Sequence, residues 1–431
     1  MIQEAVEFCQ RLLNFIDICP TPWHVVAKIE SVLRKNDFIS LDSLKNENEL
    51  QKNGRYFYSK NGALIAFVLG DLTADDGISM VAAHTDSPGL RLRANPMMKN
   101  KNLFVLSPEI YGGALASTFA DRDLGLAGRV IDSEFQIHSL NTKVPVCRLA
   151  NLPIHLNKDA NTEGIKLHPH YEMNLLFSNN LAESFGENER FEDFLKSIFE
   201  IDILAYDLIA YPVEKGAFWG LTKEFIAHRQ LDNLISTFAA LESFVETLKT
   251  NKKKKKNKTK IVAFFDHEEI GSHTDSGAAG VLINGILNLI FEFYNCSAFE
   301  KIKIRENSFL MSVDAAHAFH PNFPQKFEPN HSCLVNNGVA LKINRNKRYV
   351  SDFQYIAQTQ ELFKKLKLPL QIYEQRANIA CGSTVGPLLN AAVGVGGVDL
   401  GVPLWAMHSA RESAGTLDCY ALKRALAAFL N

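Results

Sequence analysis

Two adjacent glutamates, Glu268 and Glu269, stand in the segment IVAFFDHEEIGS, just past a short run of β-branched and aromatic residues. Neighbouring side chains at a strand end point in different directions, so one carboxylate can hold a cation while the other moves protons. Buried without a counter-charge, the pair could not stay doubly ionised, because like carboxylates in a low dielectric suppress each other's ionisation. A nearby cation removes that cost. Other segments carry the donors such an ion requires: AHTDSPG with His84 and Asp86, RQLDN with Asp232, SVDAAHAFH with Asp314 and His317, and LWAMHSARE with His408. Five N and O donors (His84, Asp232, Glu269, Asp314 and His408) suit two zinc-like divalent ions, one carboxylate bridging and each ion keeping an open position. A bridge of that kind holds two ions ~3.5–4 Å apart, the separation of hydrolytic two-metal sites.

Taken singly, each residue has a plainer reading. A histidine after a strand is usually a packed or surface residue. Asp232 ahead of a helical stripe reads as an N-cap, and Glu-Glu is common on solvated faces. The conjunction carries the argument, together with the His-x-Asp spacing of His84 and Asp86, which lets a carboxylate orient a ligating imidazole.

The elements that must position these residues are legible in the apolar pattern. Ala63–Leu69, Ile78–Ala83, Ile261–Phe265 and Phe309–Val313 are short apolar runs read as buried strands. His84, Glu268-Glu269 and Asp314 follow the last three of them. In an open α/β sheet the carboxyl ends of the strands form the ligand crevice. The spacing predicts helices over the first 18 residues, from Pro22, from Leu231 to Leu248, over Asp352–Leu366 and at the C-terminus, the last with Asp418 as N-cap. Between Leu92 and Thr222 short alternating runs and scattered Gly, Pro and Asn predict a β-rich insertion. The expected division is 1–91 and 223–431 for one α/β domain and 92–222 for the insert.

A chain of 431 residues exceeds the size of a single growing core. A formal charge of −2 argues against nucleic-acid or membrane-surface binding by bulk charge, and Lys252–Lys256 reads as a solvated loop. Seven cysteines without a CxxC pair predict free thiols in a reducing compartment. No signal peptide or membrane span is apparent, so the expectation is a cytoplasmic protein.

The segments AHTDSPGLRLRANP, YGG with ALASTFADRDLGLAGRV, LDNL, DHEEIGS, SVDAAHAFHPNFPQKFEPNH, LKINRNKRYV, CGSTVGP and VDLGVPLWAMHSARE, in this order, resemble the aspartyl aminopeptidase family of two-metal zinc exopeptidases. The resemblance spans nearly the whole chain. It implies a mixed sheet sandwiched by helices, as in zinc peptidases, with an inserted oligomerisation domain. It also implies removal of N-terminal Asp or Glu from peptides.

Carried over by motif, His84, Asp232 and Asp314 hold one ion and Asp232, Glu269 and His408 the other, with Asp232 shared. Glu268 is the general base and Asp86 orients His84. His317, Lys342 and Tyr349 contact substrate, Lys342 as the cation for an acidic side chain. His155 resembles a histidine donated into a neighbouring subunit's site. The expected mechanism is hydrolysis by a hydroxide between two divalent ions, Zn2+ with Mn2+ or Co2+ as alternatives. The expected assembly is a homo-oligomer, in the family a tetrahedral dodecamer. The chain departs from the pattern at Ala116, Gln230 and Ala380, none of which is a ligand. Competing readings are a broad-specificity two-metal aminopeptidase, an amidase for acylated amino acids, or an inactive scaffold. The last would lack a ligand or Glu268, and none is missing.

Overall fold

The computed structural model describes residues 2–179, 190–250 and 258–431, so the lysine run Lys252–Lys256 lies outside the described residues. Its centre is a nine-stranded mixed sheet. The strand order is Ile39–Ser40, Arg55–Lys60, Ala63–Val68, Lys260–Phe265, Ser79–His84, Phe309–Val313, Gly397–Gly401, Val339–Lys342 and Leu370–Tyr373. The four strands from Lys260–Phe265 to Gly397–Gly401 are mutually parallel, and Ala63–Val68 and Val339–Lys342 run antiparallel beside them.

Strand side chains alternate between two buried faces, which explains why the central runs are largely apolar. Val81, Ala83, Val262, Phe264, Met311 and Val313 face one helical layer. That layer consists of Ile2–Ile18, Pro22–Arg34, Leu231–Thr250, Phe353–Leu366 and Thr416–Phe429. Met80, Ala82, Ile261, Ala263, Phe265 and Leu310 face the other, built from Leu282–Phe293, Ala298–Asn307 and Val385–Val393. The first helix shows why it docks: Phe8, Cys9, Leu12, Leu13 and Ile16 recur at three- and four-residue steps and are all buried. Thr21 caps the second helix and Pro22 opens it. The fold is the expected α/β class, a mixed sheet between helices.

A second sheet of six antiparallel strands has the order Ile137–Asn141, Leu124–Asp132, Ile203–Pro212, Gly89–Asn100, Leu103–Tyr111 and Leu175–Asn179. It buries its own core around Leu90, Leu106, Leu126, Leu208 and Phe194. The division expected at 91/92 falls inside the strand Gly89–Asn100. The one expected at 222/223 falls in the turn between Ala217–Trp219 and Phe225–His228. Those two strands begin a third, five-stranded sheet completed by Glu412–Gly415, Pro403–Trp405 and Ala316–His317.

One capping expectation is corrected. Asp418 is not the N-cap of the last helix but its third residue, and Gly415 occupies the cap. The buried Asp418 carboxylate instead accepts the backbone N–H groups of Asn336 and Gly338. All seven cysteines are free thiols. Among the described residues no helix is long and apolar enough to cross a membrane.

Candidate metal centre

Register brings the first donors together. Lys260–Phe265 and Ser79–His84 are parallel with Phe265 opposite His84, and Phe309–Val313 flanks the same strand with Ser312 opposite Ala82. Two residues beyond Ser312, Asp314 therefore comes level with His84 at the carboxyl edge of the sheet. His84 Nε2 lies 3.3 Å from Asp314 Oδ1 and 3.5 Å from Asp232 Oδ1.

Glu268 and Glu269 do not continue a strand, as their sequence context suggested. His267 turns left-handed, with φ at 61°, and the pair occupies a short 3-10 turn, Glu268–Ile270. Both of its leading amides donate to the carboxylate of Asp86, Glu268 N–H to Oδ1 and Glu269 N–H to Oδ2, each at 3.1 Å. The Tyr111 hydroxyl donates to Asp86 Oδ2 at 2.8 Å. Asp86 thus splays the two glutamates. Glu268 Oε2 comes within 4.0 Å of His84 Nε2, and Glu269 Oε2 lies 3.4 Å from His408 Nε2. Toward His84, Asp86 offers its backbone carbonyl at 3.0 Å from Nδ1, with its carboxylate at 3.4 Å.

Asp232 heads the helix Leu231–Thr250 with non-helical torsions, and the Asp232–Asn233 peptide is cis. Asn233 Nδ2 donates to the carbonyl of Val313 at 2.8 Å, tying this turn to the end of the Asp314 strand. His408 sits at φ 68° after Pro403–Trp405, its Nδ1 3.1 Å from the carbonyl of Gly113. Buried Glu412 joins the two: its carboxylate accepts the N–H of Asp232 at 2.9 Å and that of His408 at 2.6 Å.

The electrostatics ask for a cation. Burial, reinforced by Asp314, Asp86 and Asp232 and only partly offset by His84, pushes Glu268 up to about 8. Burial and the charge of Asp232 raise Glu269 well above the carboxylate range. Burial opposes a charge on His84, but the facing carboxylates of Asp232, Asp314 and Asp86 prevail and raise its pKa. Asp232 also resists its burial, because His408 and His84 hold its pKa far below the usual value. Protons shared among such groups are what a cluster keeps when no metal balances it.

The donor set fits zinc. Asp232 Oδ1 is buried without a hydrogen-bond partner, and donor atoms of His84, Asp232 and Glu269 lie within 4.8 Å of one another. Charged N–H···O contacts are normally ~2.7–2.9 Å. The separations here are 3.3 Å for His84–Asp314, 3.5 Å for His84–Asp232, and 3.4 Å for both His408–Asp232 and His408–Glu269. Ligands at ~2.0–2.1 Å from a tetrahedral zinc stand roughly 3.3–3.4 Å apart. His84 faces Oδ1 of Asp232 and His408 faces Oδ2, so the donors fall into two groups with Asp232 common to both.

These residues open into a cavity of about 490 Å³. His317, Lys342, Arg348 and Tyr349 line it as well, with Lys342 and Tyr349 buried and His317 and Arg348 exposed. The Lys342 ammonium lies 4.9 Å from the Tyr349 ring centroid. His155 is exposed in a turn of the 151–158 loop and is not among the cavity residues of its own chain. Sequence reasoning missed Tyr111, Asn233 and Glu412 as supporting residues. Their signal lay inside the motifs YGG, LDNL and HSARE, where nothing local says what a side chain will reach.

With the fold and donor geometry established, comparisons with known proteins give the family. The M18 family of aminopeptidase I zinc metalloproteases matches residues 15–430, and the chain belongs to this family of hydrolases. A probable M18 family aminopeptidase 2 from Clostridium acetobutylicum is 34% identical over 441 residues, covering 100% of both chains. The chain superposes on the structure of Ape4 in complex with Nbr1 with a TM-score of 0.93 at 29% identity, covering 100% of this chain and 86% of that one. The mApe1 dodecamer of S. cerevesiae gives a TM-score of 0.83 at 25% identity, covering 97% of this chain and 95% of that one.

Proposed function

We propose that this zinc aminopeptidase holds two divalent ions and removes N-terminal aspartate or glutamate from peptides. The observation that carries the reading is the division of donors about Asp232, with His84 and Asp314 on one side and Glu269 and His408 on the other, at the spacing of ligands on shared ions. Zinc, or Mn2+ or Co2+ in its place, supplies Lewis acidity toward the attacking water and the scissile carbonyl.

The chain's own residues supply the proton transfers. Glu268 is no ligand in this scheme, and its carboxylate stands beside the donors, 4.0 Å from His84 Nε2. It takes a proton from the attacking water as the oxygen adds to the carbonyl carbon. It returns that proton to the leaving nitrogen as the C–N bond breaks, releasing the amino acid and the shortened peptide. Asp86 fixes the turn that carries Glu268 and keeps the His84 ring aligned. His317 donates to the developing oxyanion. The first side chain lies against the wall of Lys342 and Tyr349.

The inserted unit, built on the second sheet between Gly89 and Pro212, is the part through which copies of the chain assemble, in keeping with the dodecamer of its relative. In such a homo-oligomer the exposed His155 reaches a neighbouring subunit's cavity.

Replacement of Glu268 by Gln tests the assignment. Hydrolysis of a substrate with N-terminal Asp should fall on the order of 10²–10⁴-fold while the bound zinc stays unchanged. Activity above a tenth of wild type would remove Glu268 as the base.

A further inference from the structure

The cavity contains two cations, and they are in different electrostatic states. Lys342 is 3% exposed. Its ammonium donates to the carbonyl of Ala315 at 2.8 Å and lies 3.4 Å from Asp314 Oδ2. Its ammonium is therefore buried, bonded to the backbone and directed at a residue of the donor cluster. Arg348 is exposed on the same cavity, and among the described residues its guanidinium donates only through Nε–H, to the carbonyl of Cys381 at 3.3 Å. Among the described residues no carboxylate pairs with it. The carboxylates that line the cavity, Asp232, Glu268, Glu269 and Asp314, all belong to the donor cluster or its base. The terminal N–H groups of Arg348 are the uncommitted positive charge of this space, in the fork geometry that matches a carboxylate.

The backbone beneath Arg348 is held rigidly. Buried Asp399 accepts the N–H of Val350 at 2.6 Å and the Thr384 hydroxyl at 2.7 Å, so one carboxylate ties the segment that follows the arginine to the segment of Thr384. The Ser383 hydroxyl also donates to the carbonyl of Arg348 itself. A guanidinium anchored at its base, held at Nε and open at its tips loses little entropy on pairing.

We infer that Arg348 selects the acidic first residue, its guanidinium pairing with the substrate's side-chain carboxylate, while Lys342 chiefly holds Asp314 in place. This rests on the acidic preference proposed above. It shifts the discriminating charge from the buried lysine to the exposed arginine six residues later.

The test compares kcat/KM for two peptides differing only in an N-terminal Asp or Asn, using the zinc-loaded enzyme and its Arg348→Gln, Arg348→Lys and Arg348→Glu variants. In Arg348→Gln the Asp-over-Asn ratio should fall about 10–100-fold, the worth of a charged hydrogen-bonded pair. Arg348→Lys should retain part of the ratio, and Arg348→Glu should reverse the order. A ratio unchanged within about twofold in Arg348→Gln, or an equal loss on both peptides, overturns the inference and leaves the acidic preference standing. A wild-type enzyme without Asp-over-Asn preference overturns the acidic reading and this inference with it.

Discussion

Glu412 shows how a residue that touches no reacting atom can decide whether the site exists. Its two oxygens accept the N–H groups of Asp232, which stands between the two groups of donors, and of His408, which belongs to one of them. A glutamine in its place has one carbonyl oxygen and one NH2, so one of the two amides would meet another donor. Leaving a buried donor unsatisfied costs about 1–3 kcal/mol. Glu412→Gln is therefore expected to weaken zinc binding by about 10–100-fold, the usual effect of losing an outer hydrogen bond to a metal site. A titration against a zinc buffer checks this, and unchanged affinity would mean that Asp232 and His408 are held by other contacts. Asp86 plays the matching part on the other side, where three donors converge on its carboxylate.

At the scale of elements, the site is assembled where three sheets meet. The long strand Leu103–Tyr111 belongs to the second sheet, yet its last residue bonds Asp86, and the two glycines after it pack against the donors. Gly112 has φ of +64°, and a Cβ there would stand 3.0 Å from the Cβ of Glu269. Gly112→Ala thus combines a left-handed backbone penalty of about 1 kcal/mol with pressure on a donor side chain. The expected outcome is a loss of zinc affinity and of turnover together, with near-wild-type far-UV circular dichroism. Full zinc affinity in that variant would show that Glu269 can give way.

The central sheet was legible as strands because its inner runs are apolar on both faces, as in Ile261–Phe265, where all five residues are buried. The role of Asp418 was not. A carboxylate near a helix start looks the same whether it caps its own helix or, as here, binds amides some 80 residues away.

For the whole molecule, the donor cluster and its surroundings make stability depend on metal and on pH. Four carboxylates gathered in low dielectric repel one another, and zinc binding to the folded state alone would add about 2.7 kcal/mol at a hundredfold excess over Kd. Chelation should abolish hydrolysis and lower the melting temperature, and zinc should restore both; a melting temperature indifferent to chelation would contradict this.

Acid acts elsewhere too. Buried His228 bonds Asp17, at the end of the first helix, with Arg229 and Arg411 nearby. Burial holds it down at about 4, against the partial support of Asp17. The unfolded chain takes up this proton near pH 6.5, whereas the folded chain refuses it until about pH 4. The stability tied to neutral His228 is thus complete above pH 6.5 and is lost as pH falls toward 4, about 3 kcal/mol over the interval. His228→Gln should flatten that part of the melting-temperature profile; a parallel profile would show that the acid loss comes from other groups.

The amino-acid sequence by itself determined the chemistry available: which residues can bind a cation, which runs must be buried strands, and, through ordered motifs, the family. These are properties of residue type and local period, and they persist whatever the distant chain does. Only the tertiary structure decided that positions 84, 232, 269, 314 and 408 meet, that Asp232 stands between two donor groups, and that Lys342 contacts a carboxylate while, among the described residues, Arg348 does not. Those facts depend on sheet order and register across hundreds of residues, set by long-range backbone hydrogen bonds and core packing, to which no single segment holds the key.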